Sequence, residues 1–245
     1  LDACDLQMAF SKAQIGDEIW VAAGTYEPTQ TNERTISFSL KTGVSIYGGF
    51  PAEGGEWKSR NWINNFTILS GDIGVEDDIS DNSHHVVENV NVNSTAVLDG
   101  FTITGGNADG VWPNTLGGGM YNDLSDPTLN NIVIENNHAN SGGGMFNGES
   151  SPIISKVAFL NNTAVQNGGG IYNSYNSVPK LDNCEFINNS ADEESGGGMY
   201  NWYSNPELRN ITFYSNNANL GGGISNFYSN PIIKNVTISG NNATY

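Results

Sequence analysis

Five carboxylates are concentrated in the segment GDIGVEDDISDNSHH (71–85). Calcium takes about six to eight oxygen ligands, so an acid-rich loop of this kind is a candidate calcium site. The spacing is not that of an EF-hand or of a nonapeptide calcium repeat, and a solvated acidic loop is the alternative. His84 and His85 are adjacent and would point to opposite faces of a strand, which makes them a poor pair of ligands for one metal ion. The candidate calcium ligands are Asp72, Glu76, Asp77, Asp78 and Asp81.

Aromatic side chains offer a second kind of chemistry, the binding of sugar rings or of a partner protein. Four of them follow a recurring glycine triplet, and four more lie in or beside the turn that comes next. Exposed rings in a row present flat apolar faces with hydrogen-bonding rims, which suits both kinds of ligand. The alternative is that the rings stack on one another and only cover the chain. The candidate binding residues are Tyr121, Phe146, Tyr172, Tyr200, Trp202, Tyr203, Phe227 and Tyr228.

The elements that must position these residues come from an internal repeat. The hexapeptide GGGMYN occurs at 117–122 and 196–201, with GGGMFN from 142, GGGIYN from 168 and GGGISN from 221, at intervals of 25, 26, 28 and 25 residues. Self-similarity at a fixed period indicates a solenoid whose units are stable only when stacked. An enzyme needs one active site rather than five, so the recurrence is interpreted as structural.

Each period has the pattern of short strands with one buried face. Six segments, from VLDGFTITGGNA (97–108) to IIKNVTISGNNA (232–243), align with apolar residues in columns two, five and seven and Ala in column twelve. Alternation with a period of two predicts a strand, and the Met or Ile after each glycine triplet predicts a second one. Proline recurs at 127, 152, 179, 206 and 231, where a corner tolerates its missing N–H. We expect two or three strands of about three to five residues per period, which is one rung of a parallel β-helix.

Stacking of rungs turns every column into a row of like residues along the axis. An inward-facing Asn at a corner can hydrogen-bond to the Asn above and below it, and it tolerates left-handed backbone geometry. The glycine triplets supply a close-packed corner where no Cβ fits. The two predicted asparagine ladders are Asn137, Asn162, Asn189, Asn216 and Asn241, and Asn122, Asn147, Asn173, Asn201 and Asn226.

The pairing of GGG[MI] with FxxN resembles the repeat of the chlamydial polymorphic outer-membrane proteins, which is marked by GGA[ILV] and FxxN. Here FxxN begins at Phe159, Phe186 and Phe213, and the third Gly stands where the chlamydial repeat has Ala. More broadly, residues 97–245 look like the right-handed parallel β-helix proteins of the pectate-lyase-like superfamily. The resemblance implies an all-β, single-stranded right-handed parallel β-helix.

The same superfamily contains polysaccharide lyases and glycoside hydrolases, which supply the alternative function. Its lyases abstract a proton with a basic residue while calcium and acids hold the uronate, and its hydrolases need two or three acids in one cleft. In the outward third column, Asp182, Arg209 and Lys234 lie on successive rungs, and they would carry catalysis if the protein were an enzyme. A surface salt bridge between Asp182 and Arg209 explains them more simply, so no catalytic residue is assigned.

The first 96 residues are less regular. LQMAFSKA (6–13) has the apolar spacing of a short amphipathic helix, and GDEIWVAAGTY (16–26) then enters a strand. A helix over the first rung would cover open strand edges. We predict a capping helix and irregular coils over 1–96 and regular repeats over 97–245, continuous as one domain. Because residue 245 directly follows a repeat strand, we expect further chain, or another molecule, to cover the last rung.

The composition argues against binding to nucleic acids or anionic lipids and against insertion into a membrane. A net charge of −17 with nine Lys and Arg lacks the basic footprint of a nucleic-acid or anionic-lipid binder. No apolar run reaches the ~18 residues of a spanning helix, so this segment is not expected to insert into a membrane. Cys4 and Cys184 lie far apart in the sequence and are expected to be free thiols.

The seven N-x-[ST] sequons are candidate glycosylation sites: Asn65, Asn93, Asn161, Asn188, Asn210, Asn235 and Asn242.

These features favour a non-catalytic protein outside the cell or on its surface, acting as an adhesin, a stalk or a filament subunit. The expected partners are a carbohydrate, bound through the aromatic rows, or a surface protein. End-to-end association between copies is a further expectation. Calcium is the one candidate cofactor.

Overall fold

The structure is a computed structural model that describes residues 5–245. Within these residues it is an all-β parallel solenoid with one short α-helix, α1 (Leu6–Lys12), and one 3₁₀ turn (Trp57–Ser59). None of the described helices is long and apolar enough to span a membrane. Cys4, expected to be a free thiol, lies outside the described residues.

Twenty-four strands follow the helix in chain order. The strands of the less regular part and of the first regular rung are β1 (Glu18–Ala22), β2 (Gly24–Tyr26), β3 (Ser45–Phe50), β4 (Thr67–Ser70), β5 (Val87–Val90), β6 (Val97–Asp99), β7 (Thr102–Thr104) and β8 (Asn107–Ala108). The next strands are β9 (Met120–Asp123), β10 (Thr128–Glu135), β11 (His138–Ala139), β12 (Met145–Gly148), β13 (Ile153–Leu160), β14 (Thr163–Ala164), β15 (Ile171–Ser174) and β16 (Lys180–Asp182). The last are β17 (Glu185–Ile187), β18 (Ser190–Ser195), β19 (Met199–Trp202), β20 (Glu207–Tyr214), β21 (Asn217–Leu220), β22 (Ile224–Phe227), β23 (Ile232–Ser239) and β24 (Asn242–Ala243).

Three parallel sheets run along the solenoid. A twelve-stranded sheet contains the long strands such as β10 and β13, and two six-stranded sheets are formed by β5, β9, β12, β15, β19 and β22 and by β8, β11, β14, β18, β21 and β24. Register follows the repeat alignment: Leu129 pairs with Leu98 on one side and with Ile154 on the other. The predicted parallel β-solenoid is therefore confirmed.

The core is built from the predicted inward columns. Phe159, Phe186 and Phe213 are fully buried and stack on one another, with ring centroids 4.7 and 4.6 Å apart. Cys184 occupies the same core as a free thiol, as expected. Burial raises the pKa of this thiol to about 12, so it remains protonated and serves as a packing group.

Strand lengths differ from the expected three to five residues. Four strands of the large sheet have eight residues, and several strands of the third sheet have two. The long strands bend without ending, because a single residue in left-handed conformation occupies the fourth column, as at Asn131 (φ 52°) and Lys156 (φ 54°). Hydrogen bonding between rungs continues on both sides of that residue, so one strand turns a corner.

Both predicted asparagine ladders are present. In the first, each side-chain Nδ2 donates to the Oδ1 of the next rung at 2.8–3.0 Å, from Asn137 to Asn241. In the second the corresponding distance is 2.8 Å at every step from Asn122 to Asn226. The second ladder also extends to Asn89, which donates to Asn122 at 2.9 Å and accepts from the backbone N–H of Leu40 at 3.1 Å. Asn89 was not predicted, because no glycine triplet precedes it.

A third row, of serines, was also missed. Ser125, Ser150 and Ser177 are buried, and the Oγ of each accepts a backbone N–H from the preceding rung at 2.9–3.2 Å. Ser204 and Ser229 continue the contact at 3.0 Å. Every one of these serines lies two residues before a corner proline, so the motif S-x-P was the available signal.

The glycine triplets form the close-packed corner that was predicted. A Cβ on Gly143 would lie within van der Waals overlap of the carbonyl oxygens of Thr163 and Gly169. At the third position, a Cβ on Gly144 would lie 2.6 Å from the carbonyl oxygen of Gly170 on the next rung. The Ala of the chlamydial repeat therefore does not fit here without a backbone shift.

The amino-terminal helix lies against the first rungs. Its Leu6 and Phe10 are buried in the same hydrophobic cluster that continues to Phe213, and the Phe10 ring meets Phe38 edge-on at 5.6 Å. The predicted short helix is thus confirmed. The less regular coils join the repeats through pairing of β3 with β6.

Candidate functional site

The aromatic residues after the glycine triplets form one row of touching rings, which we call the stacked row. Successive ring centroids of Tyr121, Phe146, Tyr172 and Tyr200 are 5.4, 5.4 and 5.3 Å apart; the first pair is stacked face to face, the second is edge-on and the third is tilted. Tyr121 and Phe146 are each only 6% exposed, which differs from the expectation of an open aromatic surface. The rings cover one another because consecutive rungs bring them within stacking distance. This row therefore offers mainly ring edges and hydroxyl groups to a ligand.

The tyrosine hydroxyls of the row remain neutral. Burial raises the pKa of Tyr121 to about 12 and that of Tyr172 to about 12. A neutral phenol both donates and accepts a hydrogen bond, which suits a sugar hydroxyl better than a phenolate would.

A second aromatic group lies at the following corner. Tyr175 packs edge-on against Trp202 at 4.6 Å, and Tyr203 stacks on Tyr228 at 4.9 Å with an interplanar angle of 7°. Phe227 meets Tyr228 at 4.6 Å. Unlike the stacked row, this group is largely exposed, and Tyr228 is 70% exposed.

The backbone at this corner is left-handed although most of its residues are neither Gly nor Asn. Tyr175, Tyr203 and Tyr228 have φ of 51°, 49° and 49°, and Leu124 and Glu149 have 50° and 47°. Such a conformation costs about 1–2 kcal/mol in an ordinary L-residue and is cheaper in Gly or Asn. The exposed side chains thus occupy this corner at a cost in backbone energy.

A groove of about 470 Å³ lies where the stacked row meets the corner, and we call it the aromatic groove. It is lined by Tyr121, Phe146 and Tyr172 of the stacked row and by Tyr175 and Trp202 of the corner. Amide and carboxylate groups also line it: Asp123, Asn140, Glu149, Gln166 and Asn167. The groove combines flat apolar groups with side chains that can bind hydroxyl groups.

Trp112 also lines the aromatic groove and was missed by the sequence analysis. It is 77% exposed and belongs to the loop between β8 and β9. That loop occurs once and falls outside the aligned columns, although a Trp in a Pro-containing turn was a signal for an exposed ring.

A second, larger groove of about 630 Å³ lies against the long sheet, and we call it the loop groove. Its wall is formed by exposed Ile63 and Phe66 together with Trp62. Arg60 holds that loop by donating to Asp99 Oδ1 at 2.5 Å and to the carbonyl of Gly48 at 2.7 Å. The loop groove is the less polar of the two, and none of the predicted binding residues lines it.

The five acids of the calcium prediction do not act as one group. Asp81 accepts from the backbone N–H of Val75 at 2.9 Å, and Asp72 accepts from that of Asp77 at 3.2 Å. Asp78 binds Ser80, and Glu76 and Asp77 are exposed. Among residues 5–245, no group of three or more His, Cys, Asp or Glu side chains is placed to hold a metal ion.

The three residues that would serve an enzyme lie side by side in register on successive rungs. The prediction of a salt bridge between Asp182 and Arg209 is wrong. The Arg209 guanidinium instead lies 3.6 Å from the carboxylate of Glu207 on its own strand. Asp182 instead accepts from Asn183 and Asn210, both at 2.8 Å. Lys234 is exposed on the neighbouring strand, and neither groove is lined by any of the three.

Six of the seven sequon asparagines are exposed, and Asn65 is partly buried, donating to the carbonyl of Gly49 at 3.1 Å. Exposure is what a glycan acceptor needs, so these positions stay predictions of glycosylation.

His84 and His85 lie just before β5 and are not part of a strand. Both are buried, with Nδ1 of His84 3.2 Å from the carbonyl oxygen of Asn107 and Nδ1 of His85 3.0 Å from that of Gly117. The His85 ring also packs against Tyr121 at 5.1 Å, next to the stacked row. Burial lowers the pKa of His85 to about 4.

Acidification should therefore destabilise the protein between pH 6.5 and pH 4. Below its ordinary pKa of about 6.5 the unfolded His85 takes up a proton, whereas the folded His85 does not. Protonation therefore stabilises the unfolded state, so the free energy of unfolding is highest above pH 6.5 and decreases as the pH falls. Between pH 7.5 and pH 5 the loss is about 2 kcal/mol, measurable by urea unfolding. His85→Asn keeps a donor for Gly117 and should flatten the dependence. A variant with the parent's pH dependence would contradict this assignment.

No family model, no curated protein and no solved structure matches this chain. The parallel β-solenoid is therefore confirmed by the structure alone. The similarity to chlamydial polymorphic outer-membrane proteins and to the pectate-lyase-like superfamily stays a prediction.

Proposed function

We propose that this protein is an extracellular or cell-surface β-solenoid that acts as an adhesin, stalk or filament subunit and binds carbohydrate in the aromatic groove. The observation that carries the proposal is the composition of that groove, where exposed Trp112 and Tyr175 lie beside amide and carboxylate side chains. Flat apolar faces accept the hydrophobic side of a sugar ring, and the polar groups accept its hydroxyls.

Backbone strain at the corner supports a role for its side chains. Tyr175 and Glu149 line the groove and both have left-handed backbone geometry, which Asn or Gly would adopt at lower cost. Strain of this kind concentrates at binding sites, where the side chain matters more than the local energy. The low content of Lys and Arg further favours an uncharged or weakly charged ligand over a polyanion.

The alternative of a polysaccharide lyase or glycoside hydrolase receives less support. Asp182 is hydrogen-bonded to two asparagines and Arg209 pairs with Glu207, so the three residues share a face without sharing a cleft. Incubation with pectins, alginates and glycosaminoglycans, with and without calcium, tests this alternative. Release of unsaturated or reducing ends that is lost in Asp182→Ala would replace binding by catalysis as the proposed function.

Removing the Trp112 ring should weaken binding of a glycan selected on a glycan array by about fivefold, since a stacked ring contributes about 1 kcal/mol. Titration calorimetry of Trp112→Ala and Tyr175→Ala against the parent measures this. The matched control is Phe66→Ala, which removes an exposed ring from the loop groove and should leave affinity unchanged. Loss of binding in Phe66→Ala alone would move the site to the loop groove, and an array without any bound glycan would contradict the proposal.

A further inference from the structure

The acidic loop contains buried oxygens that have no partner. Among residues 5–245, the buried side-chain polar atoms without a hydrogen-bond partner all fall between positions 72 and 85. Four of these five atoms are oxygens: Asp72 Oδ1, Asp81 Oδ1, Asn82 Oδ1 and Ser83 Oγ. A buried polar atom without a partner costs about 1–3 kcal/mol, so a concentration of four oxygens in one loop points to a missing ligand.

Asn82 is the clearest of these groups. The residue is only 4% exposed, and its Nδ2 donates to the carbonyl of Gly105 at 2.7 Å, which leaves Oδ1 as a fixed and unused acceptor. Asp72 lies over the same glycine, since a Cβ on Gly105 would be 3.1 Å from the Asp72 nitrogen. The two ends of the loop are joined, because the Ser83 backbone N–H donates to the Gly71 carbonyl at 2.8 Å, and this brings Asp72 to the same end of the loop as Asp81 and Asn82.

Both carboxylates are held in place by the loop backbone. One oxygen of Asp81 accepts from Val75, one oxygen of Asp72 accepts from Asp77, and the other oxygen of each is buried and unpaired. A carboxylate oxygen can only accept, so its missing partner is a donor or a cation. The nearby guanidinium of Arg34 does not supply one, because it is bound to Asn82 O, Asn107 O and Asp109.

We propose that Asp72, Asp81 and Asn82, with the hydroxyl of Ser83, hold a calcium ion, whose remaining ligands are water. Calcium accepts carboxylate, amide and hydroxyl oxygens in flexible geometry, whereas magnesium demands a near-ideal octahedron. This set revises the sequence prediction: it keeps Asp72 and Asp81, adds Asn82 and Ser83, and leaves out Glu76, Asp77 and Asp78. The ion would also fix the loop that leads into His84 and His85, next to the aromatic groove.

Calcium binding is tested by titration calorimetry and by melting temperature in EDTA, in millimolar calcium chloride and in millimolar magnesium chloride. We expect the parent to bind calcium and to melt several degrees higher with calcium than with magnesium. Asp72→Asn and Asp81→Asn keep the side-chain shape, and each should bind calcium at least tenfold more weakly. The matched control is Asp78→Asn, an exposed acid of the same loop, which should bind like the parent.

Two results would overturn the proposal. One is a parent that takes up no calcium, in which case water satisfies the four oxygens. The other is an equal loss in Asp78→Asn, or an equal shift with magnesium, which would reduce the effect to diffuse attraction by the acidic loop. Repeating the glycan titration of the parent in EDTA distinguishes failure of the calcium site from failure of the aromatic groove.

Discussion

Asn162→Leu is expected to lower the free energy of unfolding by about 4 kcal/mol and the melting temperature by roughly 10 °C. The Asn162 side chain is fully buried, accepts from the Asn137 backbone N–H at 3.2 Å and donates to the Ile134 carbonyl at 2.8 Å. Leu has neither group, so a buried donor and a buried acceptor lose their partners on one rung. Each lost partner costs about 1–3 kcal/mol. Thermal and urea unfolding measure the effect.

The control for this prediction is Asn217→Leu. Asn217 lies on the outside of the same solenoid and is exposed, and its side-chain hydrogen bonds go to the exposed face, to Ser190 and Asn242. Its replacement should change stability by less than about 1 kcal/mol. If the two variants lost equal stability, the ladder would be no more than a consequence of packing.

Gly143→Ala should be nearly as damaging, with a loss of about 3–5 kcal/mol and a lower yield of soluble protein. An added Cβ would overlap the carbonyl oxygens of Thr163 and Gly169, both of which belong to the backbone and cannot rotate away. Relief requires two rungs to separate, which weakens hydrogen bonds such as that from Gly143 N to Gly168 O at 3.1 Å.

Gly54→Ala separates steric overlap from backbone preference. Gly54 has a positive φ of 83°, but a Cβ there would meet nothing within 4 Å. The cost should be about 1–2 kcal/mol, from conformation alone. A Gly143→Ala protein as stable as Gly54→Ala would show that the corner is not close-packed.

The fold was predictable because its informative residues recur in every rung. Leu129, Ile132 and Ile134 are weak signals singly, but six aligned copies define which columns face inward. The same recurrence identified the asparagine ladders and the glycine corner. The serine row also recurs, as S-x-P, but serine is common in turns for several reasons, so the motif alone does not predict a buried row.

Features that occur once could not be found this way. Trp112 and Arg60 lie in single loops, and their neighbours come from rungs distant in sequence, such as Asp99 beside Arg60. Exposure was also misjudged for Tyr121 and Phe146, because an outward column was assumed to be open. The rise between rungs is about 4.8 Å, close to the stacking distance of aromatic rings, so neighbouring rings cover each other.

The second asparagine ladder gives the solenoid a direction. From Asn89 to Asn201 every amide donates to the next rung on the carboxyl-terminal side, and the last donation goes to Asn226, so the side-chain dipoles add along the axis instead of cancelling. At its amino-terminal side the row is closed, because Asn89 is buried and its Oδ1 accepts the backbone N–H of Leu40. The axis of the solenoid is therefore polar: the acceptor is used up at one side, and the amide donors face the other side from Asn122 to Asn201.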